Sequence, residues 1–177
     1  MQQGQLPEGN PTSYRVLFED AEAFLAVAKE VSDEVQVHRY LRATLFCLWG
    51  AMEAYLHCCS RNNRFTPDES AYLRDRHLIL SIEKADLIEE IRPKPLPDKV
   101  KFLIGKSIID YDFTCAEWRD TERVTALRDV LVGTDGTMVN TEIIRERTRK
   151  GLLAFRHLVE RTHEGLYGSG SGLSTGP

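Results

Sequence analysis

The stretch 35–61, VQVHRYLRATLFCLWGAMEAYLHCCSR, constrains the fold more than any other part of the chain. Tyr40, Leu41, Thr44, Leu45, Leu48, Trp49, Met52, Tyr55 and Leu56 recur at steps of three and four, the period of one helix face. Phe46, Cys47 and Ala51 widen that stripe over most of the circumference. A helix apolar on so many sides is buried on more than one of them. The stretch therefore predicts the central helix of a bundle, or one half covered by a second subunit.

Further helices are legible around it. Ser13 offers an N-cap for a helix reaching about Val31, with Val16, Leu17, Phe24, Leu25, Ala28 and Val31 at helical spacing. Ser32-Asp33 gives a break and a fresh cap. Asn62-Asn63 and Thr66-Pro67-Asp68 mark a turn, and Pro67 suits the first position of a third helix. Leu73, Leu80 and Leu87 carry that helix to about Ile91, and Pro93-Lys94-Pro95-Leu96-Pro97 stops it. A short helix over 98–110 follows, with Val100, Leu103, Ile104 and Ile108 apolar. The next, 115–132, puts Trp118, Val124, Leu127 and Leu131 on one face. The last, 141–163, does the same with Ile143, Ile144, Gly151, Ala154, Phe155 and Leu158. No strand-like alternation and no fixed repeat is visible, so the expected fold is an all-α bundle of five or six helices. Residues 1–11 read as a mobile lead-in and 165–177, GLYGSGSGLSTGP, as a flexible tail, leaving one domain over 12–164.

Charge narrows the partners. With 23 Lys and Arg against 27 Asp and Glu the formal net charge is -4, so the surface is not generally basic and any RNA contact must be a local patch. The start lacks the basic and apolar regions of a signal peptide, and no apolar run approaches the ~20 residues that span a bilayer. A cytoplasmic location with no membrane partner is expected. Cys47, Cys58, Cys59 and Cys115 form no CxxC pair and have no His at ligand spacing, and His38 and His57 lie nineteen apart. Cys47, Cys58 and Cys59, in the apolar helix, read as small buried apolar residues, and no metal and no cofactor is expected. Phosphate-binding glycine loops and Ser/His/Asp patterns are also absent.

The stretch 121–136, TERVTALRDVLVGTDG, carries the chemistry. Arg128 and Asp129 are followed by three residues and then Gly133, before a turn rich in Gly, Thr and Asp. This resembles the signature helix of the HEPN family, whose ribonuclease members carry Arg, a polar residue, three more residues and a His. Here Gly133 occupies the His position. The likeness extends over roughly 14–162. Arg42-Ala43 through Trp49, Ala51, Glu53, Ala54, Tyr55 and Leu56 looks like the family's central helix. Leu80-Ser81-Ile82-Glu83-Lys84 looks like the region before its variable insert, and Trp118 through Leu127-Arg128-Asp129 and Val132 like the signature helix.

The resemblance implies a helical-bundle homodimer that acts on RNA without a metal, as a ribonuclease toxin or antiphage effector restrained by an antitoxin or other regulatory protein. RNA cleavage by its own 2′-OH needs proton transfer and fixed positive charge at the phosphate. Arg128 meets the second need, because a guanidinium stays charged and binds phosphate oxygens with paired donors. Asp129, four residues before position 133, would steer an imidazole there. Arg128 is five positions before it, about 140° around the helix, so the two converge only at the helix end or across a dimer axis. Gly133 has no proton to move, and catalysis is expected to be impaired whether that Gly is natural or introduced. His157 and His163 are the nearest substitutes. Arg145, Arg149 and Arg156 fall within about 40° of one another on the last helix, a phosphate-contact face or a solvated one with Arg156 paired to Glu160. Glu53, a lone acid in the most apolar helix, is expected to meet Arg128 or Arg42, or solvent. The alternative function is a non-catalytic module that dimerises or docks a partner through that helix.

Overall fold

The computed structural model describes residues 12–74, 95–132 and 140–168, with the backbone alone at 12, 13 and 129–132. Among the described residues there are six helices and no strand. They are α1 (Thr12–Glu30), α2 (Glu34–Cys59), α3 (Pro67–Leu73), α4 (Leu96–Ser107), α5 (Ala116–Val132) and α6 (Thr141–Tyr167). The all-α expectation is met. No helix here is long and apolar enough to cross a membrane.

α1 and α2 form an antiparallel hairpin broken where the sequence placed the break. Asp33 caps α2, its carboxylate accepting the Val35 N–H at 3.1 Å. Tyr14, Phe18, Ala21, Leu25 and Ala28, spaced four and three apart, are the buried face of α1. Val16 lies outside it at 45% exposure, because Tyr14 and Phe18 take the inward positions beside it. α2 touches α1, α4, α5 and α6 and is the centre of the bundle. Leu41, Thr44, Leu45, Leu48, Ala51, Met52, Tyr55, Leu56 and Cys59 are buried along it, and Tyr55 donates to the Val159 carbonyl at 3.1 Å. One stripe of α2 stays uncovered, with Val35 at 60% and Phe46 at 50% exposure.

The Thr66 hydroxyl and Glu69 carboxylate make a reciprocal capping box that starts α3 at Pro67. The expected continuation to Ile91, with Leu80, Leu87 and the stretch 80–84, lies outside the described residues. α4 starts at Leu96, not after Pro97, because proline is tolerated in a first helical turn where its missing N–H has no partner to lose.

α5 and α6 run antiparallel and come close at Gly151, where any β-carbon would meet the Val124 side chain. α6 also outruns its expected end. Leu166 is buried, Gly165 passes over the Ser107 carbonyl, and Asn62 and Arg64 donate to the Leu166 and Gly165 carbonyls. Gly168, at φ +71°, then closes the helix in the left-handed conformation that glycine adopts without strain. Residues 165–167 therefore belong to the bundle, and the expected tail from 169 on lies outside the described residues.

Candidate functional site

α5 presents Arg128, and its own packing fixes where. Trp118, Val124 and Leu127 face the core, as the spacing required. Thr121 and Thr125 are buried on the same helix, and each returns its hydroxyl to a backbone carbonyl, Glu117 at 3.0 Å and Glu122 at 2.8 Å. The helix thereby buries two hydroxyls without leaving either unbonded.

One turn after Val124, the Arg128 guanidinium carbon lies 4.2 Å from the ring centroid of Trp49 on α2. That is inside the range in which a cation is held by the negative face of an aromatic ring. Both residues are half-buried, so the charge is partly desolvated. The Trp49 indole N–H in turn donates to Glu53 Oε1 at 3.3 Å. Glu53 is exposed, and its recorded contact is with the indole that carries Arg128. The three residues form a row in which the indole joins the guanidinium to the carboxylate. The backbone of Asp129 continues α5, while its side chain and all of Gly133 lie outside the described residues.

The three α6 arginines singled out in the sequence, Arg145, Arg149 and Arg156, are engaged within the chain. Arg145 pairs with Glu142 at 2.9 Å and donates to the Ala28 carbonyl at 3.0 Å. Arg149 meets both Glu146 oxygens at 2.9 Å, and with Lys150 it holds the Glu146 carboxyl down at about 2. Arg156 pairs with Glu22 on α1 and lies 5.4 Å from the Phe18 ring centroid. The partner expected from the sequence was Glu160; the fold brings Glu22 instead. Arg145 and Arg156 thus lace α6 to α1, and Arg149 is the most open of the three, its side chain 42% exposed against 25% and 14%.

The histidines are held elsewhere. His157 Nδ1 lies 3.6 Å from Glu117, whose carboxylate also accepts from Tyr111 at 2.9 Å and Arg161 at 3.3 Å. Glu117 precedes Arg128 by eleven residues of α5, about 16 Å along the helix. His163 is 3% exposed and packs against Tyr167, the rings tilted by 39° with centroids 4.5 Å apart. Burial, and secondarily Arg15, lowers its pKa, so it stays neutral. Within one chain neither imidazole is placed beside Arg128. His38 Nε2 meets the Thr141 hydroxyl at 3.0 Å while that hydroxyl donates to Glu34 at 3.1 Å. A hydroxyl has one proton, so His38 is the donor in its bond. Nothing in sequence spacing signals this contact or the Glu117 cluster, because each joins residues that only tertiary packing brings near.

Among the described residues no group of three or more His, Cys, Asp or Glu could hold a metal ion. All four cysteines are free, and burial raises the thiols of Cys47, Cys58 and Cys59, which keeps them protonated and unreactive. No family model matches the sequence, and no curated protein and no solved structure matches it either.

Proposed function

We propose that this chain is a HEPN-type, RNA-directed helical module, a metal-independent ribonuclease toxin or defence effector by resemblance, whose catalysis is impaired by Gly133 and which works as a cytoplasmic homodimer. In this reading Arg128 binds an RNA phosphate, Asp129 organises the site, and position 133 is where proton transfer is lost. The observation that carries it is the placement of Arg128, delivered by a helix packed through Val124 onto Gly151 and laid against Trp49 of the central helix. A guanidinium so held keeps its planar fork oriented. An antitoxin or regulatory protein is the second partner this reading implies.

The test is a paired comparison of the chain and its Gly133→His variant for RNA cleavage in EDTA. Cleavage that appears only with His, and disappears when Arg128→Ala is added, supports the proposal. No RNA affinity in either form, by fluorescence anisotropy at low salt, refutes it.

A second reading is favoured by one observation, the 50% exposure of Phe46 on the central helix. An exposed aromatic beside a half-buried Trp suits a non-catalytic docking module. Salt-insensitive protein binding without RNA affinity would select it.

A further inference from the structure

Two side chains of α2 flank Trp49 and take no part in the core. Phe46 is 50% exposed, and among the described residues its ring meets no other ring and no cation. Glu53, two turns beyond Phe46 and about 10 Å along the same helix, is exposed and makes no ion pair among those residues. Its Oε1 accepts the Trp49 indole N–H at 3.3 Å, which fixes where the carboxylate sits. Its second oxygen takes no bond from any described residue.

An unpaired carboxylate on a surface that binds RNA opposes that binding unless it bonds to some group of the RNA. We infer that Glu53 reads a guanine base, with Phe46 as the platform on which that base stacks. This role deepens the functional reading above, on which it rests for the phosphate at Arg128, and names the base the site prefers. The cation lies over the indole face and the indole N–H lies in the ring plane, so guanidinium and carboxylate stand about 7 Å apart. One nucleotide spans that gap from its phosphate to the outer edge of its base.

An ionised carboxylate can only accept hydrogen bonds, through two oxygens side by side. On the Watson–Crick edge of an unpaired base, guanine alone offers two adjacent donors, N1–H and the N2 amino group. Uracil offers one N–H between two carbonyl oxygens, which a carboxylate repels. Adenine and cytosine each set one amino group beside a ring-nitrogen acceptor. Oε1 keeps further lone-pair capacity when the indole uses part of it, so both oxygens of Glu53 can serve guanine. The Phe46 face accepts any base and adds affinity without choice, and the carboxylate supplies the choice.

Fluorescence anisotropy of the full chain at low salt tests this with four single-stranded, uridine-rich RNAs that differ in one central base, G, A, C or U. The expected result is about tenfold or more tighter binding of the G-containing RNA, the discrimination that a bidentate base contact supplies. Inosine in place of that guanine lacks the N2 amino group and should give up much of the preference with the protein unaltered. Glu53→Gln should weaken the G-containing RNA by a similar factor, while the other three bind as before or tighter because a negative charge has gone. Phe46→Leu and Arg128→Ala should each weaken all four alike, and circular dichroism verifies the folding of every variant. Equal binding of the four RNAs, or a guanine preference that survives Glu53→Gln, would overturn the base-reading role and leave RNA binding standing. No affinity for any of the four overturns the functional reading, and the role of Glu53 with it.

Discussion

Replacing Gly151 by Ala asks the α5–α6 contact to accept one methyl group for which it has no room. A β-carbon built there would lie 2.6 and 2.7 Å from the two γ-carbons of Val124, and closer still to its β-carbon. Carbon atoms at rest stay about 3.5–4.0 Å apart, so the helices must part by about 1 Å or more. Rotating Val124 cannot relieve this, because its β-carbon is fixed by the backbone. Overpacking of this kind costs about 1–3 kcal/mol, and the fixed neighbour argues for about 3. The greater helix preference of Ala returns about 1 kcal/mol. The net loss is then about 2 kcal/mol, which in a chain of this size lowers Tm by about 4–8 °C. Differential scanning calorimetry measures it directly. Adding Val124→Ala removes the γ-carbons but leaves the β-carbon overlap, so only part of the loss should return. Arg128 follows Val124 by one turn, so the emission of Trp49 should shift as well. An unchanged or raised Tm for Gly151→Ala would refute the close approach on which the position of Arg128 depends.

Acidification should weaken the fold through His163. Its pKa is lowered in the folded state by burial, so below the ordinary value of about 6.5 the unfolded chain binds a proton that the folded one refuses. Stability should therefore be unaffected above that pH and fall beneath it, and His163→Phe should flatten the difference between urea midpoints at pH 7.5 and 5.5. Asn140→Ala removes the side-chain acceptor for the Glu142 and Ile143 N–H groups and should cost about 1 kcal/mol in the same assay. In a double-mutant cycle of Arg128→Ala and Trp49→Leu, the coupling should be about 1 kcal/mol; additivity would deny the stacked pair.

The sequence announced helices readily wherever a local signal existed. Asp33, Pro67 and the 3–4 rhythm of α2 set their elements because caps, prolines and apolar spacing act over a few residues and need no neighbour. Local signals also misjudged some positions. Val16 and Ile143 matched the helical period yet are exposed at 45%, since periodicity fixes a face only to within about one residue. The end of α6 was hidden for a related reason: glycine at 165 reads as a breaker until Ser107 is seen beneath it.

The candidate site divides along the same line. Arg128 and Trp49 were both visible as residues in the sequence, but 79 positions separate them, and no pattern in the chain pairs them. Charge on a helix face likewise says nothing of its partner: Arg156 could as well have met Glu160, one turn along, and the packing of α6 against α1 chose Glu22. By itself, then, the sequence determined that the chain is helical, where most helices begin, and which side chains carry charge. Tertiary structure alone decided which of those charges meet, because a contact between distant residues depends on how whole helices settle against one another.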